Sequence, residues 1–188
     1  FNGCIYNYRE LRDELEQTGY RFFSEGDTEV ILKAYHAWGT DCLQRFNGMF
    51  AFAIHERDSG RLVLARDRLG IKPLYLSVTR QRLRFASSLP ALLTDGAIDR
   101  SINPQALHHY LHWHAVVPAP HTIISGITKL PPATLRIYEP DGSSTQQTYW
   151  QLTVEADERD GRLSTTQWAD LLLDTLRRAV KRRMVADV

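Results

Sequence analysis

A chain of 188 residues with 43% hydrophobic and 24% charged content has the make-up of a soluble globular protein, long enough for one ordinary domain or one and a fraction. Its 23 basic and 22 acidic residues nearly cancel to a formal charge of +1, so no strongly charged partner is indicated. No apolar run reaches the roughly 18 residues a membrane span needs, and the two cysteines, Cys4 and Cys42, make neither a disulfide framework nor a CxxC zinc pair.

Phe1 to Tyr6 reads as the end of a strand. A helix is expected from Asn7, with Glu10 three residues on completing a capping box, Tyr8, Leu11 and Leu15 on one face, and Gly19 as its stop. Asp27 or Thr28 is expected to cap a second helix, in which Val30, Ile31, Ala34, Tyr35 and Trp38 recur at helical spacing up to Gly39. Between residues 48 and 88 the period changes. Gly48–Ile54, Arg61–Ala65, Leu74–Val78 and Leu83–Ala86 are strand-length apolar runs joined by short links, which favours antiparallel pairing. A short helix is expected over 89–96 and another from Asn103-Pro104, with Pro104 at its first position. Asp141-Gly142 marks a tight turn between two strand-like pieces. A polar stretch, 153–163, reads as a linker. Ser164 with Gln167 then caps a last helix, apolar along Trp168, Leu171, Leu172, Leu176 and Val180 and basic at its end.

Three segments carry chemistry when taken in order: Asn2-Gly3-Cys4-Ile5-Tyr6-Asn7-Tyr8, Gly26-Asp27-Thr28-Glu29-Val30, and Arg66-Asp67-Arg68-Leu69-Gly70-Ile71-Lys72-Pro73-Leu74-Tyr75. Alone, an Asn-Gly pair is usually a turn and an Asp before a helix is usually a cap. As an ordered set they resemble the glutamine-hydrolysing domain of the asparagine-synthetase-type amidotransferases. With Ser87-Ser88-Leu89-Pro90-Ala91-Leu92-Leu93, the pattern is similar to the N-acetylglutaminylglutamine amidotransferases in particular.

That resemblance implies an α+β fold, a four-layer αββα sandwich of the N-terminal-nucleophile hydrolase type over residues 1–152. A linker over 153–163 and the first helix of an ATP-dependent synthetase domain over 164–188 would follow. In the family an N-terminal cysteine attacks the glutamine side-chain amide, with its own α-amine as base. The resemblance makes Asn2 and Gly3 the oxyanion donors, Gly3 through its backbone N–H, and Asp27 the partner of the glutamine α-ammonium. The segment from Arg66 to Tyr75 reads as scaffold. ATP and Mg²⁺ would be used by the intact protein at sites outside this chain, on an adenylated carboxylate acceptor. The resemblance also implies that the chain begins after the nucleophile and ends before a Ser-Gly-Gly-x-Asp-Ser loop, so that alone it has no glutaminase activity. One residue departs from the family: Cys4 stands where a Glu is usual, and a neutral thiol cannot replace a carboxylate as an ammonium partner.

Other readings stay in view. Cys4 has no α-amine beside it and is a poor candidate nucleophile. Cys42 reads as a small buried apolar residue, and the lack of a disulfide framework makes a reducing, cytoplasmic setting the default. His108 and His112 have ligand-like spacing, yet no Glu completes a His-Glu-x-x-His pattern, and with His109, His114 and His121 they read as surface and packing histidines, with no metal site. The basic end of the last helix reads as a solvated face, with no nucleic-acid partner. A non-catalytic binding or regulatory module is the rival class, and aspartate is the rival acceptor. Homodimerisation is open.

Overall fold

The structure, a computed structural model, describes residues 1–155, 161 and 163–185. The elements are β1 (Asn2–Ile5), α1 (Tyr8–Gln17), α2 (Asp27–Trp38), a 3-10 turn (Gly39–Asp41), α3 (Cys42–Arg45), β2 (Gly48–His55), β3 (Leu62–Arg66), β4 (Tyr75–Val78), β5 (Leu83–Ala86), α4 (Leu89–Leu92), α5 (Pro104–His112), β6 (Thr128–Lys129), β7 (Thr134–Tyr138), β8 (Ser144–Thr148) and α6 (Thr165–Arg183). They group into two units. One comprises Phe1–Gly3 with Gly48–Trp150, the other Cys4–Asn47 with Gln151–Val188.

The first unit holds two sheets. The larger has the order β1-β2-β3-β7-β8 and the smaller β5-β4-β6. The short links work as expected: β2 and β3 pair antiparallel, Ala51 opposite Arg66 through His55 opposite Leu62, and β4 and β5 pair antiparallel as well. Consecutive β3 and β4 do not pair. β3 takes β7 instead, and the segment after Arg66 carries the chain from one sheet to the other. The sheets meet through one apolar cluster, with Ala51, Leu64 and Tyr138 on the larger, Leu76 on the smaller, and Leu74 and Leu130 next to the ends of β4 and β6. Side chains alternate along β4, so Tyr75 faces away from that cluster and packs with Ala86 against Leu92, Ile98 and Ile127. α4 thus covers the outer face of the smaller sheet. Burial at this density removes several apolar side chains from water, each worth about 1.5–3 kcal/mol. β8 is a polar, exposed edge, a composition that discourages pairing with other chains.

In the second unit α1 buries Tyr8, Leu11 and Leu15, α2 buries Val30, Ile31 and Ala34, and the two helices pack together. Cys42, Leu43 and Phe46 are also buried. α6 carries the expected Ser164–Gln167 capping box, and Leu171, Leu172, Leu176 and Val180 along it are exposed. Near its end the Arg183 guanidinium lies 5.6 Å from the centre of the Tyr6 ring.

Three local expectations are corrected. Asn7 sits at the N-cap of α1 but makes no side-chain cap. Its carboxamide accepts from the Asn47 N–H (2.8 Å) and donates to the Arg45 carbonyl (3.0 Å), tying the start of α1 to the end of α3. The N-cap of α2 is Gly26 in extended backbone, so Asp27 is the first helical residue and neither Asp27 nor Thr28 is the cap. The helix expected over 89–96 stops at Leu92, and Asp95 instead accepts from the Ala97 N–H at 2.9 Å in a turn. At α5 the expectation is met: Pro104 opens the helix and Asn103 accepts from the Ala106 N–H at 3.0 Å.

Candidate functional site

Asn2 and Gly3 are consecutive on β1 at the edge of the larger sheet. Gly3 has φ +147°, and a Cβ built there would lie 2.0 Å from the Met49 carbonyl oxygen and 2.7 Å from the Phe50 Cα. Only glycine tolerates that closeness, so the residue type is set by backbone packed on backbone. Asn2 lines an open cavity of about 180 Å³ together with Phe1, Ala51–Ala53 of β2, Pro73, Leu74 and Phe85–Ser87. The volume lies below the ~300 Å³ usual for a site that encloses a drug-sized ligand, and Asn2 and Ser87 bring the polar side chains of its lining. A carboxamide and a backbone amide one residue apart are a donor pair of the kind that stabilises a developing oxyanion.

Asp27 belongs to the second unit. It is 6% exposed, and its Oδ2 accepts from the Ile5 N–H at 2.9 Å. Ile5 is the last residue of β1, the strand that carries Asn2 and Gly3. Burial and that bond hold the carboxylate in one orientation, the condition for a specific charge partner. Two residues on, Glu29 is equally committed. It accepts from the Ser24 N–H (2.8 Å) and hydroxyl (2.7 Å) and from the Phe23 N–H (3.2 Å), and pairs with Lys33 at 2.8 Å. Burial alone would raise its pKa. The Lys33 ammonium, the Ser24 hydroxyl and the two backbone amides outweigh burial and hold it at about 2.

Neither cysteine has the setting of a nucleophile. The Cys4 thiol donates to the Val185 carbonyl at 3.9 Å. Cys42 is fully buried, and burial, with a lesser push from the Asp41 charge, drives its pKa up to about 12.

Sequence reasoning took the Arg66–Tyr75 segment as scaffold and missed how densely its first two residues are bonded. Asp67 is 1% exposed. Its Oδ1 accepts from the N–H groups of Leu69 (3.1 Å) and Ile71 (2.9 Å), and its Oδ2 from those of Phe50 (3.1 Å) and Lys72 (3.0 Å). Its own N–H donates to the Phe50 carbonyl at 2.8 Å. Arg66 donates to the carbonyls of Gly70 (2.6 Å), Lys72 (2.7 Å) and Leu130 (2.6 Å). The available signal was an Arg-Asp pair directly after an apolar strand and before a Gly turn, since charges at such a place must be paired or fully bonded.

The histidines of α5 make ring contacts with their helical neighbours. His108 and His112 have ring centres 4.0 Å apart, and His109 lies flat on Trp113 at 4.7 Å. Among the described residues no group of three or more His, Cys, Asp or Glu is placed to hold a metal, and no helix is long and apolar enough to cross a membrane.

Comparison with known proteins bears on this geometry. A family model described as a glutamine amidotransferase domain matches residues 1–150. Asparagine synthetase [glutamine-hydrolyzing] 1 of Bacillus subtilis (strain 168) is 35% identical over 176 residues, which is 94% of this chain and 28% of that protein. A putative asparagine synthetase [glutamine-hydrolyzing] of Mycobacterium bovis is 45% identical over 134 residues, 69% of this chain and 20% of its own length. The chain therefore spans under a third of either relative. Among solved structures, glutamine phosphoribosylpyrophosphate amidotransferase from B. subtilis superposes with a TM-score of 0.55 at 20% identity, covering 80% of this chain and 28% of that one. This likeness is one of fold, and the fold is α+β of the N-terminal-nucleophile hydrolase type.

Proposed function

The chain belongs to the glutamine amidotransferase domain family, of asparagine synthetase type, and from that premise we propose that the protein it is part of hydrolyses glutamine and transfers the ammonia to an ATP-activated carboxylate, forming an amide. The observation that carries the reading is Gly3. Its backbone lies so close against Met49 and Phe50 that no side chain fits, and it directly follows an Asn that lines a small cavity.

In this reading the Asn2 carboxamide and the Gly3 N–H donate to the oxyanion formed when a thiolate attacks the glutamine side-chain carbonyl. Removing one such donor typically costs about 10²–10³ in kcat. Asp27, oriented by the Ile5 N–H, takes the α-ammonium of glutamine. The attacking thiolate is neither Cys4 nor Cys42. The family's nucleophile is an N-terminal cysteine whose α-amine, with a pKa near 8, accepts the thiol proton at neutral pH.

The ATP and Mg²⁺ used by the intact protein are placed at sites outside this chain. The sequence has no Ser-Gly-Gly-x-Asp-Ser loop, and the described residues hold no ligand cluster for a cation. The acceptor is either an acetylated glutamine dipeptide, which the resemblance of the Asn-Gly-Cys-Ile-Tyr-Asn-Tyr run suggests, or aspartate, which the relatives' names suggest. The setting is cytoplasmic, in keeping with a sequence whose two cysteines make no disulfide framework.

The test uses the full-length protein. Glutamine should be converted to glutamate and an amide product in an ATP-dependent manner, and a panel of aspartate against an acetylated glutamine dipeptide identifies the acceptor. Full-length protein that releases no ammonia from glutamine with either acceptor present would refute the assignment.

A further inference from the structure

We infer that Asp67 is a positioning residue for the Asn2–Gly3 oxyanion corner, fixing the backbone on which Gly3 is seated and joining two walls of the cavity that Asn2 lines. The inference rests on the reading above. Phe50 is bonded to Asp67 twice, its N–H to the carboxylate (3.1 Å) and its carbonyl to the Asp67 N–H (2.8 Å). The first of these bonds holds the peptide that joins Met49 to Phe50, and it is this peptide, with the Phe50 Cα, that lies 2.0–3.0 Å from where a Gly3 Cβ would be. Any shift of Phe50 along or out of its strand therefore moves the wall against which Gly3 sits.

The same carboxylate reaches the second wall. Through the N–H groups of Leu69, Ile71 and Lys72 it organises the turn that delivers Pro73 and Leu74 to the cavity, which Ala51 and Phe52, the residues that follow Phe50, also line. Arg66 closes the turn through its carbonyls, at Gly70 and Lys72. Gly70 has φ +64°, and a Cβ there would come within 2.8 Å of Pro132 and 3.1 Å of the Arg66 guanidinium, so the turn has little slack. One buried carboxylate with four amide donors thus sets the distance between β2 and the Pro73–Leu74 segment. Turning the chain between sheets needs none of this to be registered on Phe50, whereas holding Gly3 in place does.

Asp67 touches no reacting atom in this account, so its signature is a kcat effect that depends on Asn2. The Asp67→Asn variant replaces one acceptor oxygen by a donor facing amide N–H groups, at nearly constant volume. In the full-length protein it should lower kcat for glutamine hydrolysis by about 10- to 100-fold, the scale of a small misplacement of a reacting group, with the KM for glutamine changed by less than about threefold. Amide formation fed with ammonia, which bypasses this site, should stay within about twofold of wild type. In an Asn2→Ala background the effect of Asp67→Asn should shrink to less than about threefold, because residues acting through one corner are not additive. Ile127→Val, a core substitution elsewhere in the first unit, is the control for stability loss alone and should leave kcat unchanged. Should Asp67→Asn not fold, Arg66→Lys, which loses the fork on the turn and keeps the charge, carries the test with an expected kcat loss of about 3- to 10-fold. Full additivity with Asn2→Ala, or an unchanged kcat in the folded variant, overturns the inference and leaves the proposed function standing. An Asn2→Ala variant with wild-type glutaminase activity overturns the proposed function and the inference with it.

Discussion

Asp27 is a carboxylate whose surroundings are set by burial. A carboxylate 6% exposed and bonded to a backbone N–H gives up most of its hydration, a cost that is offset only by strong partners. If its charge serves the glutamine α-ammonium, Asp27→Asn in the full-length protein should raise the KM for glutamine by about 10- to 100-fold with a smaller change in kcat, because the contact exists in ground state and transition state alike. Steady-state kinetics reads this directly, and an unchanged KM would assign Asp27 to bracing β1 alone. Cys42 is the inert counterpart. With a pKa of about 12, about one thiol in ten thousand is ionised at pH 8. Alkylation by iodoacetamide followed by mass spectrometry should leave Cys42 unmodified in the native protein and modify it readily in urea. Native labelling of Cys42 would contradict its placement in the core.

At the scale of elements, α2 is held at its start by charge and hydrogen bonds as much as by its apolar face. Glu29 gathers the Phe23–Ser24 loop and Lys33 on one carboxylate. Its pKa in the folded chain is about 2, against an ordinary 4.5. A depressed carboxylate stabilises the folded state in full above its unfolded pKa, and that contribution is lost as the pH falls through 4.5 towards about 2. Urea midpoints for wild type and Glu29→Gln, taken from pH 7 downward, should differ most at neutral pH and converge below pH 4.5. A gap that stays constant over that range would mean that the charge contributes nothing.

The whole molecule explains which features were legible in sequence. Apolar runs such as Gly48–Ile54 and the paired signals Asn103-Pro104 and Ser164–Gln167 became β2, α5 and α6 because each depends on neighbours within a few residues. Asn7 was misread as part of a capping box because its partners, Arg45 and Asn47, lie about 40 residues away and meet it only after folding. The separation of β3 from β4 into different sheets was hidden for the same reason: β3 pairs with β7, some 70 residues on. Asn2, Gly3 and Asp27 are proposed as site residues on the ordered motif. Spacing alone could not show that Gly3 rests on the Met49–Phe50 peptide, or that Asp67 holds that peptide from 17 residues away.

The central claim is that the Asn2–Gly3 corner stabilises the oxyanion of glutamine hydrolysis, and kcat for glutamine-dependent ammonia release by full-length Asn2→Ala tests it most directly. The account predicts a fall of about 10²–10³, with ammonia-fed amide formation preserved. A kcat equal to that of wild type would contradict it.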